Sequence, residues 1–314
     1  MPRLTLGIDL GGTGIKFGLV DPMGRLLRSS KISTPSKSDP LEVVNALVAQ
    51  AKAVLATLPK RKVRGIGIGA AGDIDPKTGS VRLSPNLNWR NVPLKALISR
   101  RLHYPIVIDN DANAAAWAAY VVEAKRRVQN LLCVTVGTGV GGGLVLNGQL
   151  YRGSTGSAAE IGHITLYPDG APCPCGNQGC LERYVGARAM AAEARRAIEA
   201  GESTVVSKMV HNDLSKITPL ILEKAARQKD RLALHLWSQV GEHLGIGLAS
   251  LINVINPEWI VIAGGLSRAG NLLLDPVRRT ILKRSFHTPA SAAKLVISKL
   301  DQELGIVGAG LLAH

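Results

Sequence analysis

One hairpin pattern occurs twice in this chain and limits the folds that are open to it. Residues 4–20 (LTLGIDLGGTGIKFGLV) form an apolar strand, a glycine turn and a second apolar strand, and residues 131–153 (LLCVTVGTGVGGGLVLNGQLYRG) repeat that plan. Glycines in such a turn let backbone amides approach an anion closely, as a phosphate-binding loop requires. Two copies in one chain predict a duplicated fold whose halves clamp a phosphate chain.

Polar side chains accompany the glycines of the first turn. Thr13 adds a hydroxyl donor and Lys16 a positive charge, while the carboxylate of Asp9 at the strand end can hold hydrated magnesium. The turn lacks the Gly-Lys-Ser or Gly-Lys-Thr of a P-loop and is not a dinucleotide fingerprint. The residues predicted to contact phosphate or its magnesium are Asp9, Gly11, Gly12, Thr13, Lys16, Gly137, Thr138 and Gly139.

A cluster of acidic and amide side chains lies between a strand and an alanine-rich helix in residues 105–120 (PIVIDNDANAAAWAAY). The pattern predicts that the strand ends at Ile108 and that one of residues 109–113 caps the helix. A cap does not need two aspartates and two asparagines within five positions. The excess of polar groups therefore indicates a functional site in addition to a cap.

Three cysteines and a histidine occur close together in residues 160–182 (EIGHITLYPDGAPCPCGNQGCLE). Thiolates and an imidazole make the soft four-ligand set of a tetrahedral zinc site, here His163, Cys173, Cys175 and Cys180. Four protein ligands leave no position open for substrate, so the zinc is predicted to be structural. The alternatives are a disulfide with free thiols, for which Cys173 and Cys175 are badly spaced, or a zinc knuckle that only braces a loop.

The chain carries 38 lysines and arginines against 23 aspartates and glutamates, a net charge of +15. This excess favours polyanionic partners such as nucleic acid, a phosphorylated substrate or polyphosphate. The basic residues are scattered, with no recognition-helix pattern and no aromatic interleaving, so no nucleic-acid partner is predicted. Solvated helix faces and a basic host proteome are the alternative explanation of the charge.

Three features predict a cytoplasmic protein. No apolar run reaches membrane-spanning length, so no membrane partner is expected. The first residues, MPRLTLGIDLGG, enter a strand without a signal-peptide pattern. Four cysteines, three of them in the predicted metal cluster, suit a reducing compartment better than a disulfide scaffold.

Five motifs, taken in chain order, resemble the ROK family of repressors, open reading frames and sugar kinases. They are DxGGTxxK from Asp9, DNDAN at 109–113, the second glycine turn, EIGH followed by CxCGxxGCLE, and AGG at 263–265. The resemblance covers essentially the whole chain. It implies an α/β protein with the actin-like ATPase (ribonuclease H-like) fold, in which two α/β domains enclose a cleft.

The length of 314 residues is also more than one core usually needs and suggests two domains. A closing helix predicted at residues 302–313 is expected to pack back on the N-terminal domain. We therefore predict a smaller, discontinuous domain of residues 1–115 plus 300–314. The larger domain, residues 116–299, contains the zinc motif.

The resemblance implies an ATP-dependent hexose kinase, and glucokinase is the specific activity that we predict. Asp111 matches the position of the family's general base, which accepts the proton of the sugar 6-hydroxyl during in-line transfer of the γ-phosphoryl group. Magnesium and the amides of the two glycine turns would spread the negative charge. Gly264 and Gly265 match the family's adenosine motif.

The same resemblance implies that carboxylates, amides and an imidazole hold the sugar. Glu160 lies three residues before His163, and Glu182 lies two residues after Cys180. His163 can serve both metal and sugar only if each takes a different ring nitrogen. Asn86, in the loop SPNLNW, either faces this pocket or belongs to a plain turn. The predicted sugar ligands are Asn110, Asp111, Glu160, His163, Glu182 and Asn86.

Other activities of the same family stay open. The core residues are shared with kinases for N-acetylmannosamine, N-acetylglucosamine, fructose, mannose and allose, and polyphosphate is an alternative donor. A non-catalytic sugar-sensing regulator is disfavoured by an intact Asp111 and two intact phosphate turns. A repressor would carry a helix-turn-helix domain before the phosphate motif, which here begins within ten residues of Met1. Family members are commonly dimers or tetramers, so a homodimer or homotetramer is expected.

Overall fold

The computed structural model describes residues 3–35 and 39–314, and the chain divides into two units. The first unit contains Met1–Cys133, Gly143–Ala159 and Ser298–His314, and the second contains Val134–Gly142 and Glu160–Ile297. The C-terminal segment thus belongs to the same unit as the N-terminal strands. The domain ranges predicted from the sequence stay a prediction.

Most strands occur in consecutive runs, and these runs are separated by helices. The strands are β1 (Leu4–Leu10), β2 (Gly14–Val20), β3 (Leu26–Ser33), β4 (Val63–Ala70), β5 (Asp73–Asp75), β6 (Ser80–Ser84), β7 (Trp89–Val92), β8 (Ile106–Asn110), β9 (Leu131–Val136), β10 (Val140–Leu146), β11 (Gln149–Tyr151), β12 (Trp259–Ala263) and β13 (Lys294–Ile297). The α-helices are α1 (Pro40–Leu55), α2 (Leu94–Ser99), α3 (Asp111–Ala118), α4 (Glu182–Val185), α5 (Ala187–Glu199), α6 (Val205–Met209), α7 (Pro219–Arg227), α8 (Arg231–Ile255), α9 (Asn271–Arg284), α10 (His287–Ala292) and α11 (Leu304–Leu312). Among the described residues, no helix combines the length and the apolar character needed to cross a membrane.

Two five-stranded sheets share one strand plan. The first has the order β3-β2-β1-β4-β8, and the second has the order β11-β10-β9-β12-β13. In the first sheet, β1 pairs antiparallel with β2 and parallel with β4, which pairs parallel with β8. In the second, β10 pairs antiparallel with β11, and β12 pairs parallel with β13. The hairpins predicted at both positions are present, each within one of two similar sheets; a smaller sheet has the order β5-β6-β7.

Both faces of the first sheet are covered within the first unit. Leu6, Ile8 and Leu10 of β1 are fully buried in a cluster that includes the apolar side of α1. The alternate residues of a strand point to the other face, where Gly7 lies directly against the backbone of Ile306 in α11. The C-terminal helix therefore packs on the N-terminal strand, as the sequence predicted.

One strand boundary differs from the prediction. The sequence pattern places the end of β8 at Ile108, whereas β8 continues to Asn110 because its last two residues still pair with β4. Helix α3 then begins at Asp111. The acidic cluster consequently lies at the carboxyl end of a parallel strand, where α/β sheets commonly bind ligands.

We expect Gly308→Ala to destabilise the first unit. A Cβ at this position of α11 would overlap the backbone carbonyl of Ala114 in α3. Since two helix backbones cannot move apart without disturbing their packing, the cost should be about 1–3 kcal/mol, measured as a lower denaturant midpoint. Gly265→Ala is the control, because no described atom lies within 4 Å of the added Cβ. An unchanged midpoint for Gly308→Ala would contradict this close packing of α3 and α11.

Candidate functional site

The first glycine turn joins β1 to β2 and brings predicted phosphate-contacting residues together in the first unit. Asp9 and Lys16 are direct partners in the hairpin register, and Lys16 Nζ donates to Asp9 Oδ2 at 3.1 Å. The turn is closed by a bond from Gly11 N to the Gly14 carbonyl oxygen at 3.1 Å. Thr13 at its tip is exposed. A carboxylate and an ammonium group are therefore held together at the base of the turn.

The backbone of Asn86 lies against this turn. A Cβ on Gly12 would approach the Asn86 carbonyl oxygen to 2.5 Å, so a larger residue would push the two segments apart. Asn86 itself is exposed and lies in a turn in which Leu87 N donates to the Ser84 carbonyl oxygen at 3.3 Å. The turn role that the sequence left open for Asn86 is present, and its contact with a sugar stays a prediction.

Asn110, and not Asp111, caps helix α3. The Oδ1 of Asn110 accepts hydrogen bonds from Ala112 N at 2.8 Å and from Asn113 N at 3.1 Å. Its Nδ2 donates to the carbonyl oxygen of Gly72 at 3.0 Å. Asp111 occupies the first position of the helix, and its Oδ1 accepts from Ala112 N at 2.9 Å. Because the cap is already provided, capping does not account for the half-buried carboxylate of Asp111.

In the second unit, the carboxylate of Glu182 lies against the second glycine turn. Gly137 N donates to the Gly139 carbonyl oxygen at 2.9 Å, and Thr138 between them is exposed. Val140 N donates to Glu182 Oε2 at 3.4 Å, and a Cβ on Gly139 would overlap the same oxygen. A predicted sugar ligand thus contacts the turn that is predicted to bind phosphate.

The AGG segment lies beside that turn. Gly264 follows β12 with a φ of 89°, and a Cβ there would come within 2.6 Å of the carbonyl oxygen of Val136, at the end of β9. Gly265 begins a 3₁₀ turn and has no described atom within 4 Å of an added Cβ. Gly264 therefore permits a close backbone approach, whereas an added Cβ at Gly265 would point into open space.

The four predicted metal ligands converge in the second unit. One ligand atom from each of His163, Cys173, Cys175 and Cys180 lies within 4.8 Å of the others. His163 Nδ1 is 3.7 Å from the Cys173 sulfur, and the sulfurs of Cys175 and Cys180 are 3.7 Å apart. Tetrahedral sulfurs at a Zn–S distance of about 2.3 Å are separated by roughly 3.8 Å, so the donor set fits a zinc ion. The cysteines are free thiols, which does not support the disulfide alternative.

Burial and hydrogen bonding give these three thiols different pKa values. Desolvation raises the pKa of the Cys180 thiol to about 12 and also raises the pKa of the Cys173 thiol. The pKa of the exposed Cys175 is lowered, chiefly by a hydrogen bond from the backbone N–H of Asn177. A coordinated metal ion stabilises all three as thiolates.

His163 and Glu182 connect the metal ligands with the predicted sugar ligands. His163 ends the 3₁₀ turn Ile161–His163, and its N–H donates to the Glu160 carbonyl oxygen at 3.0 Å. Because Nδ1 faces Cys173, Nε2 is the ring nitrogen left for a sugar hydroxyl. Glu182 Oε1 lies 4.0 Å from the Cys173 sulfur. Glu182 and the backbone of Glu160 therefore lie next to residues of the metal-ligand cluster.

A family model described as the ROK family matches residues 5–314 of the chain. The chain belongs to the ROK family. The resemblance that five motifs indicated is confirmed. ROK sugar kinases have the actin-like ATPase fold with two domains, so the predicted fold class is confirmed as well.

Curated relatives of this ROK protein include enzymes and regulators. The glucokinase of Streptomyces coelicolor is 36% identical over 316 residues, which cover 99% of this chain and 98% of that protein. A putative xylose repressor of Caldicellulosiruptor is 34% identical over 309 residues, which cover 97% of this chain and 76% of the repressor. A crystal structure of a ROK family glucokinase from Streptomyces griseus, in complex with glucose and AMPPNP, superposes with a TM-score of 0.87 at 36% identity and covers 98% of both chains. These relatives support a sugar kinase, and the repressor leaves a regulatory role open.

Two ion pairs of the first unit involve residues outside the predicted set. Arg152 Nε donates to Asp109 Oδ2 at 2.7 Å. Asp73 Oδ1 accepts from Arg82 Nη1 at 2.9 Å and from Ser157 Oγ at 2.7 Å. Most of these contacts join segments far apart in the sequence, so no local pattern marks them. The one sequence signal was the excess of acidic and amide groups around Asp109.

Proposed function

We propose that this ROK protein is an ATP-dependent hexose kinase, with glucose as its preferred acceptor and Asp111 as the general base. The observation that carries the proposal is the arrangement at the start of α3, where Asn110 provides the cap and Asp111 adds a second polar group that the helix does not need. The 36% identity to a glucokinase over nearly the whole chain supports the same activity.

On the acceptor side, Asp111 accepts the proton of the sugar 6-hydroxyl as that oxygen attacks the γ-phosphorus of ATP. The new O–P bond forms while the bond to the leaving oxygen of ADP breaks, and the products are sugar 6-phosphate and ADP. Asn110 has one amide hydrogen left for a sugar hydroxyl, because Oδ1 caps α3 and Nδ2 already donates to Gly72. Its proposed contact with the sugar is therefore a single donated hydrogen bond.

On the donor side, backbone amides of the two glycine turns and Lys16 are the proposed ligands of the phosphates. The AMPPNP complex of the Streptomyces griseus relative supports a nucleotide of the ATP type as donor. Asp9 is the proposed holder of hydrated magnesium, which when bound neutralises charge on the transferring phosphoryl group. Gly264 and Gly265 are the proposed contacts of the adenosine.

Sugar selectivity is assigned to Glu160, His163 and Glu182. We propose that zinc binds His163 through Nδ1 together with the three cysteines, in a structural role that directs Nε2 toward a sugar hydroxyl. The carboxylates would accept hydrogen bonds from ring hydroxyls, so an epimer with a hydroxyl in the wrong position would leave one of these polar groups without a partner in the complex.

A panel of acceptors tests this function. We expect the highest kcat/KM for glucose, with mannose, allose, fructose, N-acetylglucosamine and N-acetylmannosamine lower by about 10- to 100-fold or more. With ATP as the donor, kcat/KM is measured by a coupled assay of ADP release. With polyphosphate as the donor, phosphate transfer is measured by direct detection of sugar 6-phosphate. An N-acetyl sugar as the best substrate would overturn the glucose assignment but keep the kinase.

The second candidate function is a sugar-responsive regulator that binds without phosphorylating. The 34% sequence identity to a putative xylose repressor over 97% of this chain supports this second function. The same panel separates the two functions when each sugar is also tested for binding by thermal shift. Xylose is added to the panel for this purpose, and a stabilising shift with glucose or xylose, without ADP release for any sugar, would favour the regulator.

A further inference from the structure

Asp109, two residues before the proposed base, is a buried carboxylate that joins its own turn to Arg152. Only 3% of the surface of Asp109 is exposed to solvent. Oδ1 accepts from Asn110 N at 2.8 Å and from Asn113 Nδ2 at 2.9 Å. Oδ2 accepts from Arg152 Nε at 2.7 Å. One carboxylate therefore fixes both ends of the 110–113 segment and binds it to another part of the first unit.

Arg152 is the counter-charge that this burial requires. It follows directly after β11 and belongs to the segment Gly143–Ala159, which is part of the first unit. An ionised carboxylate is costly to bury unless it is paired and hydrogen-bonded. The guanidinium supplies a charge-assisted bond to Asp109, while the side chain of Arg152 stays about one-third exposed. No other ion pair to Asp109 is formed by the described residues.

The turn that Asp109 fixes is the one that carries the proposed base. Asn110 Nδ2 donates to Gly72, and Asn110 Oδ1 accepts from the first turn of α3. The backbone around Asp111 is therefore held in place by Asp109, Gly72 and Arg152 together. We propose that the Arg152–Asp109 pair positions Asp111 for proton transfer, without contacting the substrate itself. This inference rests on the proposed kinase function, because its catalytic consequence is a lower turnover number.

Misplacement of a reacting group by about 1 Å can cost on the order of 100-fold in rate. We expect Arg152→Met to lower kcat by about 100-fold while KM for glucose and for ATP changes by less than about threefold, because the contacts that bind substrate are kept. Arg152→Lys retains the charge and should recover most of the lost kcat. Arg90→Met, an exposed arginine of β7 in the same unit, is the matched control with wild-type kinetics.

A double-mutant cycle shows whether the effect passes through Asp109. Asp109→Asn removes the buried charge, so Asp109→Asn combined with Arg152→Met should be no slower than Arg152→Met alone. The same double variant provides a folded comparison if Arg152→Met fails to fold. Additive losses in kcat, or a wild-type kcat in folded Arg152→Met, would overturn the inference.

Amide hydrogen exchange supplies a readout that does not depend on activity. In Arg152→Met, or in the double variant if that protein alone folds, the amides of Ala112 and Asn113 should exchange faster than in the wild type, since both donate to the cap that the pair stabilises. If the wild-type protein phosphorylates none of the sugars, the proposed function fails, and the exchange rates alone decide whether the pair holds the turn. Unchanged exchange at both amides would refute the positioning role in either case.

Discussion

Asp111→Asn is expected to lower kcat with glucose and ATP by about 10²- to 10⁴-fold, the range that a general base contributes. Asparagine has the same shape and keeps an oxygen that can accept from Ala112 N, the bond that Asp111 makes at 2.9 Å. It cannot take up the proton of the sugar 6-hydroxyl at neutral pH. Glucose affinity should stay within about tenfold of the wild type, because the loss concerns the transition state more than the bound sugar.

Two measurements decide this prediction. A coupled assay of ADP release gives kcat, and titration calorimetry gives the Kd for glucose. Asp275→Asn is the matched control, since Asp275 is exposed on α9 and pairs only loosely with Arg278, at 3.4 Å, a kind of surface contact that contributes little. If Asp111→Asn kept a kcat close to that of the wild type, Asp111 would not be the base.

Cys180→Ser is expected to abolish binding of the proposed zinc and to destabilise the second unit. Cys180 is fully buried and its sulfur lies 3.7 Å from that of Cys175, so its loss leaves three of four ligands. Serine does not supply a thiolate, and zinc affinity should fall by about 100-fold or more, which transfers directly into lost folding free energy. Elemental analysis of the purified protein should show about one zinc per wild-type chain and far less in the variant.

The thermal midpoint should fall together with the zinc content. Glucose kcat/KM should also fall, because His163 would lose the zinc ion that is proposed to orient its ring. Cys133→Ser is the matched control: Cys133 is fully buried in β9 and lies outside the metal-ligand cluster. That variant places the same hydroxyl in a buried site but should keep its zinc. A wild-type protein without zinc, or Cys180→Ser with a full complement of zinc, would contradict the metal assignment.

The hairpins, the presence of a cap and the convergence of His163 with three cysteines were predictable because their signals are local. A glycine turn between two apolar strands specifies a hairpin within a few residues, and β1 with β2 follows the predicted range closely. The excess of polar groups in 109–113 includes the cap residue Asn110, and the catalytic role predicted for Asp111 stays a prediction. The end of β8 was predicted too early, because pairing with β4 extends the strand into polar residues that a hydrophobic pattern assigns to a loop.

The sequence by itself determined the family, the duplicated hairpin and the kinds of chemical group available at each turn. Only the tertiary structure decided that His163 turns Nδ1 toward the cysteines and that Arg152 pairs with Asp109 across 43 positions of sequence. Turn and strand signals are set by backbone geometry over a few residues. The pairing of a buried charge depends instead on which distant segments pack together, and that packing leaves no mark in a local pattern.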